Sequence, residues 1–343
     1  MVTTGSRTMM PQSLGRRGQG GLTLVEIMVA LVISLVLSAG LIHIFLGNQQ
    51  SYRFNQEFSR IQENSRFAVD MLGRSIRMAG FVGCARPGEV RVNNIVDPQE
   101  DGDFDPEFAV EGVRSVDAGV TVGNREVVSG TDMVTIRGGD GATGRMIEQS
   151  VSNANIKAAS NAGNWEAGDV LIVSDCEDLD IFRATNVSQN TGQSDITIAH
   201  ASNENVTNRL SKVYEDGASV ISYRETTYFI SPGQGDVPAL WRRIGNQNPE
   251  EIVEGVEDMR ILYGLDTNGN GEVNNYRGGQ VVTNQGRWGD VISIRVSLLL
   301  VSLEDNTVDE PQSYVFNGAR VTADDRRLRQ IATTTVAVRN RLP

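Results

Sequence analysis

The sequence predicts an α+β protein in which a long N-terminal α-helix, first transmembrane and then amphipathic, packs on an antiparallel β-sheet domain with long loop insertions. Three observations predict this fold class. A nearly continuous apolar run extends from Leu22 to Leu46, an amphipathic stretch continues it to about Ala79, and segments rich in β-branched and aromatic residues follow. The predicted division is residues 1–21 as a leader, 22–79 as the long helix and 80–343 as an exported β-rich domain.

The leader is short and basic. Arg16 and Arg17 precede the apolar run, and residues 1–21 contain no acidic residue. By the positive-inside rule this end stays in the cytoplasm, and the chain after Leu46 is exported. Residues 22–46 are enough to cross a bilayer as one helix. An ordinary signal peptide would carry its small-residue cleavage site after the apolar core, whereas Gly20 and Gly21 precede it here.

One carboxylate, Glu26, interrupts the start of the apolar run. A charge inside a membrane helix costs about 2.5–3.5 kcal/mol on insertion scales. Two explanations are open. Glu26 either has a specific partner within an apolar environment, or it lies at the membrane surface within reach of the lipid headgroups.

The amphipathic half of the predicted helix carries a single apolar stripe. Its members recur at alternating steps of four and three, with Ser65 filling one place, and they are Phe54, Phe58, Ile61, Ala68, Leu72 and Ile76. This spacing predicts one buried helix face, and no proline occurs between residues 12 and 86 to interrupt it. We expect the stripe to pack on the sheet. A coiled-coil partner is the alternative, although the stripe is short for one.

The remaining chain alternates strand-like segments with clusters of Asn, Gly, Asp and Ser. The predicted strands lie within 131–139, 168–175, 194–201, 218–230, 259–266, 290–303 and 331–343. A short helix is predicted after Pro249 within 246–258. Residues 95–125 and 150–165 are predicted to be polar, irregular insertions.

The chain has two cysteines, Cys84 and Cys176, and both lie in the part predicted to be exported. In an oxidising compartment such a pair predicts one disulfide, which would tie the end of the helix to the segment around Cys176. Two buried free thiols are the alternative.

Composition argues against several classes of function. The net charge of −12 opposes nucleic-acid binding through phosphate neutralisation. Only two histidines occur, and one of them, His43, lies in the apolar run, which disfavours a histidine metal site or a Ser-His-Asp triad. The GDGATG segment at 139–144 lacks an apolar helix behind it and is interpreted as a glycine loop. No nucleophile, base and orienting group emerge together, so the sequence predicts a protein that is not an enzyme.

The segment DTNGNGEVNNYR at 266–277 resembles a calcium-binding loop in part. Asp266, Asn268 and Asn270 occupy the first, third and fifth ligand positions, but Arg277 stands where such a loop needs a bidentate glutamate. An Asn-Gly-rich turn is the favoured interpretation. A weak calcium site built from Asp266, Asn268 and Asn270 is the open alternative, and no other cofactor is predicted.

The order of basic leader, glycine and then LTLVE resembles the leader of type IV prepilins. Further blocks resemble the PilW-type minor pilins of type IV pilus assembly, and these are RFAVDMLGRSIRMAGFVGC, SDCEDLDIFRAT, IVEGVEDMRILYGLD and TTTVAVRNRL. The resemblance implies a pilin-like fold and cleavage by a prepilin peptidase between Gly21 and Leu22. It also implies N-methylation of Leu22, and docking of Glu26 on the N-terminal ammonium of a neighbouring subunit.

The same resemblance implies a function and a location. The expected protein is a minor pilin that helps to prime pilus assembly for twitching motility and adhesion, together with other minor pilins and the major pilin. It would be a single-pass inner-membrane protein with a periplasmic domain, later incorporated at the pilus tip. Two alternatives are a minor pseudopilin of type II secretion and a calcium-dependent adhesive tip module.

Overall fold

The computed structural model describes residues 23–84, 90–97, 109–146, 154–189, 192, 194–215, 217–235 and 237–341. The predicted leader and its cleavage site, Gly21 and Leu22, lie outside these residues. The chain divides into two compact units, residues 1–53 and 54–343.

The helices are α1 (Leu24–Met78) and α2 (Gly279–Gln285), and 3-10 turns follow at Trp288–Asp290 and Arg339–Arg341. The strands before residue 190 are β1 (Arg91–Asn94), β2 (Val110–Val113), β3 (Thr121–Val122), β4 (Arg125–Glu126), β5 (Met133–Arg145), β6 (Asn155–Ala158), β7 (Val170–Ser174), β8 (Asp178–Arg183) and β9 (Asn186–Gln189). The later strands are β10 (Ile196–Ala199), β11 (Ser219–Pro232), β12 (Pro238–Ile244), β13 (Glu250–Glu254), β14 (Val256–Leu265), β15 (Asn275–Gly278), β16 (Val291–Val301), β17 (Ser313–Phe316), β18 (Ala319–Thr322) and β19 (Arg329–Ala337). The α+β class is therefore confirmed.

The first unit holds the apolar part of α1. This part is long and apolar enough to cross a membrane, and none of its most apolar stretch is buried within the structure. A water-exposed apolar surface of this length is unfavourable. The segment therefore needs lipid or other apolar helices around it.

Two sheets form the framework of the second unit. The larger runs in the order β1-β8-β7-β11-β12-β13, with β5 also on β11 and β2 on β5, and the other runs β15-β14-β16-β19. The pairing is antiparallel except that β1 lies parallel to β8. All seven segments predicted as strands contain one, because their β-branched and aromatic residues fill the two sheet faces.

The stripe on α1 is confirmed in its C-terminal part and corrected at its start. Ile61, Ala68, Leu72 and Ile76 are buried in a core shared with strands of both sheets. Phe58 instead remains 37% exposed and stacks on Phe54, with their ring centroids 6.0 Å apart. Glu57 is buried in that position, because its carboxylate accepts the Leu303 backbone N–H at 2.9 Å.

Three other expectations differ from the structure. Residues 250–254 form strand β13 in place of the predicted helix, because their backbone pairs antiparallel with β12 and Val253 is buried in the core. The GDGATG segment lies within strand β5, paired with β11, and is not a loop. The predicted irregular insertions contain β2 and β6, which pair with β5 and β10 respectively.

The end of α1 lies against Gly138 and Gly139 of strand β5. The Gly80 N–H donates to the Arg137 carbonyl at 2.8 Å, and the Gly139 N–H donates to the Phe81 carbonyl at 2.6 Å. A Cβ on Gly138 would lie only 2.9 Å from the Met78 carbonyl oxygen and 3.0 Å from two backbone nitrogens. The chain can approach this closely only because residue 138 lacks a side chain.

We expect Gly138→Ala to lower the free energy of unfolding by about 1–3 kcal/mol, the usual cost of overpacking. Backbone atoms surround the added methyl group, so no side-chain rotation can relieve the contact. Urea unfolding of the full chain in detergent, followed by tryptophan fluorescence, measures the change. Gly289→Ala is the control, because its Cβ would meet nothing within 4 Å. Equal stability of the two variants would contradict the argument.

Candidate functional site

The first turn of α1 is closed by a reciprocal pair of side chains. The Thr23 N–H donates to Oε2 of Glu26 at 2.9 Å and the Thr23 hydroxyl donates to the same oxygen at 3.0 Å. In return the Glu26 N–H donates to the Thr23 hydroxyl oxygen at 3.3 Å. This is a capping box, which satisfies backbone donors that a helix start would otherwise leave unpaired.

The capping box leaves part of the Glu26 carboxylate available. Within the described residues only Oε2 accepts hydrogen bonds, and these come from Thr23 alone. The second oxygen, Oε1, is free to face a cation from outside the chain. One side chain can thus hold the helix start and present a negative charge at the same time.

The surface around Glu26 is almost entirely apolar. Leu24, Val25 and Met28 are all exposed, and the apolar exposure continues along the helix to Leu46. In a bilayer or among packed helices, an unpaired carboxylate here would be strongly unfavourable. The arrangement therefore favours a cationic partner that binds Glu26 in the same apolar environment.

A disulfide joins the segment after α1 to the segment before β8. Cys84 and Cys176 are bonded, with their Cα atoms 5.0 Å apart and a sequence separation of 92. The predicted pairing is present in the structure, and the alternative of two free thiols is not. Beside it, the Lys212 ammonium lies 2.7 Å from an Asp175 carboxylate oxygen.

A buried carboxylate, Asp180, fixes the chain next to this disulfide. It accepts hydrogen bonds from the Ser211 hydroxyl and the Tyr214 hydroxyl, each at 2.6 Å, and one from the Asn93 side-chain amide. Burial, with the negative charge of Asp180 beside it, raises the pKa of Tyr214. The hydroxyl therefore stays protonated and acts as a donor. The cluster is a buried hydrogen-bond network that stabilises the fold.

His200 is packed into the core beside Phe182, with the ring centroids 5.1 Å apart. Neither ring nitrogen has a hydrogen-bond partner among the described residues, and burial lowers the pKa of the imidazole. Among the residues described, no three or more His, Cys, Asp or Glu side chains gather as a metal site.

The 266–277 loop is closed by its own side chains. Asp266 accepts backbone N–H groups from Asn268, Gly269 and Asn270 through Oδ1, and from Gly271 through Oδ2 at 2.7 Å. These bonds, the one from Gly271 first, lower the pKa of the Asp266 carboxyl. The bonds explain the turn without a metal.

The ligand set also fits calcium poorly. Arg277, at the twelfth position, belongs to β15 and pairs in register with Tyr263, which keeps it on a strand. Of the residues at positions one, three, five and twelve, Asp266 alone supplies a carboxylate, whereas a calcium loop needs several oxygens and a bidentate acid at position twelve. The weak calcium site at Asp266, Asn268 and Asn270 stays a prediction.

Calorimetry tests this loop directly. We expect no heat of binding when calcium is titrated to millimolar concentration into the full chain in detergent, because the Asp266 oxygens already accept four backbone N–H groups. A saturable heat that Asp266→Asn removes, and that Asp305→Asn at an exposed bend outside this loop leaves intact, would restore the calcium interpretation.

The structural roles of two residues, Thr23 and Glu57, were not predicted from the sequence. Thr23 is recognisable afterwards, because Thr followed three residues later by Glu before an apolar run is the signature of a capping box. Glu57 is not recognisable in this way, because its burial depends on a backbone N–H that is 246 positions away.

Comparison with known families gives two matches. The prokaryotic N-terminal methylation motif matches residues 16–42, which include Gly21, Leu22 and Glu26. A family described as type IV pilus-assembly protein W matches residues 227–340, from the middle of β11 through β19. No curated protein sequence matches the chain.

The methylation motif and the apolar helix are those of a membrane-anchored protein with a C-terminal domain. The W family is one of pilus-assembly proteins. Together the two matches support a pilin-like protein related to the type IV pilus, and they confirm the resemblance to the PilW-type minor pilins.

Proposed function

We propose that this protein is a minor pilin that helps to initiate type IV pilus assembly. In this proposal a prepilin peptidase cuts after Gly21, and Leu22 becomes a methylated N-terminus. Residues 22–46 anchor the protein in the inner membrane, and residues 80–343 form a periplasmic domain. Its work is to bind other minor pilins and the major pilin, without a catalytic step.

The carrying observation is the state of Glu26. Its carboxylate closes the helix start through one oxygen and leaves the other free, on a helix whose surroundings are exposed and apolar. A neighbouring subunit's N-terminal ammonium fits this position, because each charge then neutralises the other in a low dielectric. Neither charge is stable there alone.

The disulfide supports export. Structural disulfides persist in oxidising compartments such as the periplasm, and the Cys84–Cys176 bond lies in the domain that the positive-inside rule places outside the cytoplasm. The basic leader with Arg16 and Arg17 then stays inside.

A pseudopilin of type II secretion would share the leader and the helix. The match to a pilus-assembly family over 227–340 favours the pilus system. An adhesive role at the tip is compatible with priming. It would require that shortening the insertion near 95–125 spares pilus number and abolishes attachment.

The first measurement is the intact mass and N-terminal peptide of the protein isolated from its membrane without reduction. We expect a chain that starts at Leu22 and a linked peptide pair that contains Cys84 and Cys176. Gly21→Asp provides the control, because it should leave the leader attached. A wild-type chain that kept residues 1–21, or that lost the apolar run, would overturn the proposal.

A further inference from the structure

Strand β19 is an edge of its sheet. It pairs with β16 along Arg329–Ala337, and no described strand lies on its other side. The Val338 N–H donates to the Ile292 carbonyl at 2.9 Å, which fixes the even-numbered residues as those bonded to β16. In an antiparallel ladder the alternate residues direct both backbone groups away from the partner. These are Arg329, Ile331, Thr333, Thr335 and Ala337.

At Arg329, the first of these outward positions, the backbone is already hydrogen-bonded to a side-chain amide. The Gln312 side-chain amide donates to the Arg329 carbonyl at 3.0 Å, and its oxygen accepts the Arg329 N–H at 2.8 Å. Gln312 thereby imitates one peptide unit of a neighbouring strand. In the part of the chain that the structure covers, no hydrogen bond reaches the outward backbone groups of the next four positions.

The edge also lacks the usual protection. Natural edge strands carry charges, prolines or bulges that prevent pairing with another chain. Residues 330–338 contain no charged residue and no proline, and their register with β16 is unbroken. An edge of this length and composition is a template for a further strand.

A groove lies between this edge and α1. It has a volume of about 370 Å³ and is lined by Gln62, Ser65, Arg66, Val69 and residues 330–333. Arg66 is the single charged residue in this lining, and it forms no ion pair within the described residues. Gln330 Oε1 is buried there with no hydrogen-bond partner in the same part of the chain. The groove thus offers one unmatched cation and one unmatched acceptor.

We propose that β19 and this groove bind an extended segment of a different polypeptide, which adds to the sheet as a strand. The segment carries a carboxylate opposite Arg66 and brings an N–H donor to Gln330 Oε1. Strand addition of this kind takes affinity from main-chain hydrogen bonds and specificity from side-chain contacts. The occupant is therefore an acidic β-strand of a partner protein.

A second copy of this chain fits the groove badly. Strand β19 runs in the same direction as α1. Gln62 lines the groove with residues 330–333, and further along both elements the Asn340 side-chain amide nitrogen lies 3.5 Å from the Arg77 carbonyl oxygen. Antiparallel pairing of two β19 strands would therefore set two α1 segments in opposite directions. Chains anchored at the same end in one membrane cannot adopt that arrangement, a step that rests on the proposed function. Self-pairing would also leave each Arg66 without an acidic partner.

Photo-crosslinking in the cell tests the inference. The full chain carries Ile331→p-benzoylphenylalanine, whose side chain stands on the sheet face and leaves the edge open, and adducts are mapped by mass spectrometry. We expect a crosslink to an extended, Asp- or Glu-containing segment of another protein. Thr333→Pro should abolish it, because proline removes an outward N–H and is tolerated at an edge.

Matched variants separate the edge from general damage. Thr333→Val loses the same hydroxyl contact with Ser297 but keeps the N–H, and it should retain the adduct. Arg66→Lys should also retain it, and Arg66→Glu should lose it. An adduct between two copies, an adduct that persists in Thr333→Pro, or no adduct would each overturn the inference. If the wild-type chain starts at Leu22 and supports piliation without an adduct, this inference fails while the proposed function stands.

Discussion

Glu26→Gln is expected to stop pilus assembly almost completely. Removing one partner of a charge pair in an apolar environment costs about 3–5 kcal/mol, because the remaining charge is left unpaired. That loss corresponds to a weakening of subunit association by about 100-fold or more. Glutamine keeps the shape and an oxygen for the Thr23 N–H, so the helix start is retained. Counting pili per cell by electron microscopy, with immunoblots for protein level, measures the effect.

Thr23→Ala separates docking from capping. It removes the hydroxyl that accepts the Glu26 N–H and keeps the carboxylate. Loss of an N-cap costs about 0.5–2 kcal/mol of local helix stability, which the apolar helix around it can absorb. Pilus number should therefore stay close to wild type. If Thr23→Ala reduced piliation as much as Glu26→Gln, the helix start would be the reason for Glu26, and the docking role would be wrong.

Removal of the disulfide is expected to have the largest effect on stability. The bond closes a segment of 92 positions, and the chain-entropy model assigns a loop of this size about 4–5 kcal/mol. The double variant Cys84→Ala, Cys176→Ala should lose most of that from its free energy of unfolding. Urea unfolding of the full chain in detergent measures it. Trp165 is a suitable probe, because it is buried within the closed segment.

Chemical reduction provides the control for that variant. Dithiothreitol should destabilise the wild-type protein to the level of the double variant and leave the double variant unchanged. A wild-type unfolding midpoint that does not respond to reduction would show that the folded domain does not need the bond.

The parts of the fold that local pattern determines were predictable. The stripe at Ala68, Leu72 and Ile76 and the strand around Ile294 show their periods directly in the sequence. Burial of Glu57 and exposure of Phe58 were not predictable, because a backbone N–H at Leu303 decides them from far along the chain. The helix prediction for residues 250–254 was wrong for a related reason. Their acidic composition suited a helix start, but a tertiary partner, β12, made them a strand.

The candidate site was predictable to a different degree. Glu26 could be recognised in the sequence, because a carboxylate is rare in an apolar run. The disulfide partner of Cys84 could be predicted too, because Cys176 is the one other cysteine in the chain. The open edge of β19 could not be predicted from the sequence. Its Thr-rich sequence reads as any half-buried strand, and only the sheet order shows that one side lacks a neighbour.

The buried contacts of the domain fall into separate groups, and this has a consequence for how the protein can change. The core beneath α1 draws most of its members from the region matched by the W family. A second cluster, with Trp165, Phe182 and Tyr214, lies wholly before that region, and the disulfide and Asp180 fasten the same part. Substitutions in the two groups should therefore add nearly independently in their effects on stability. The N-terminal cluster can thus acquire new surface features while the core that carries the helix stays as it is.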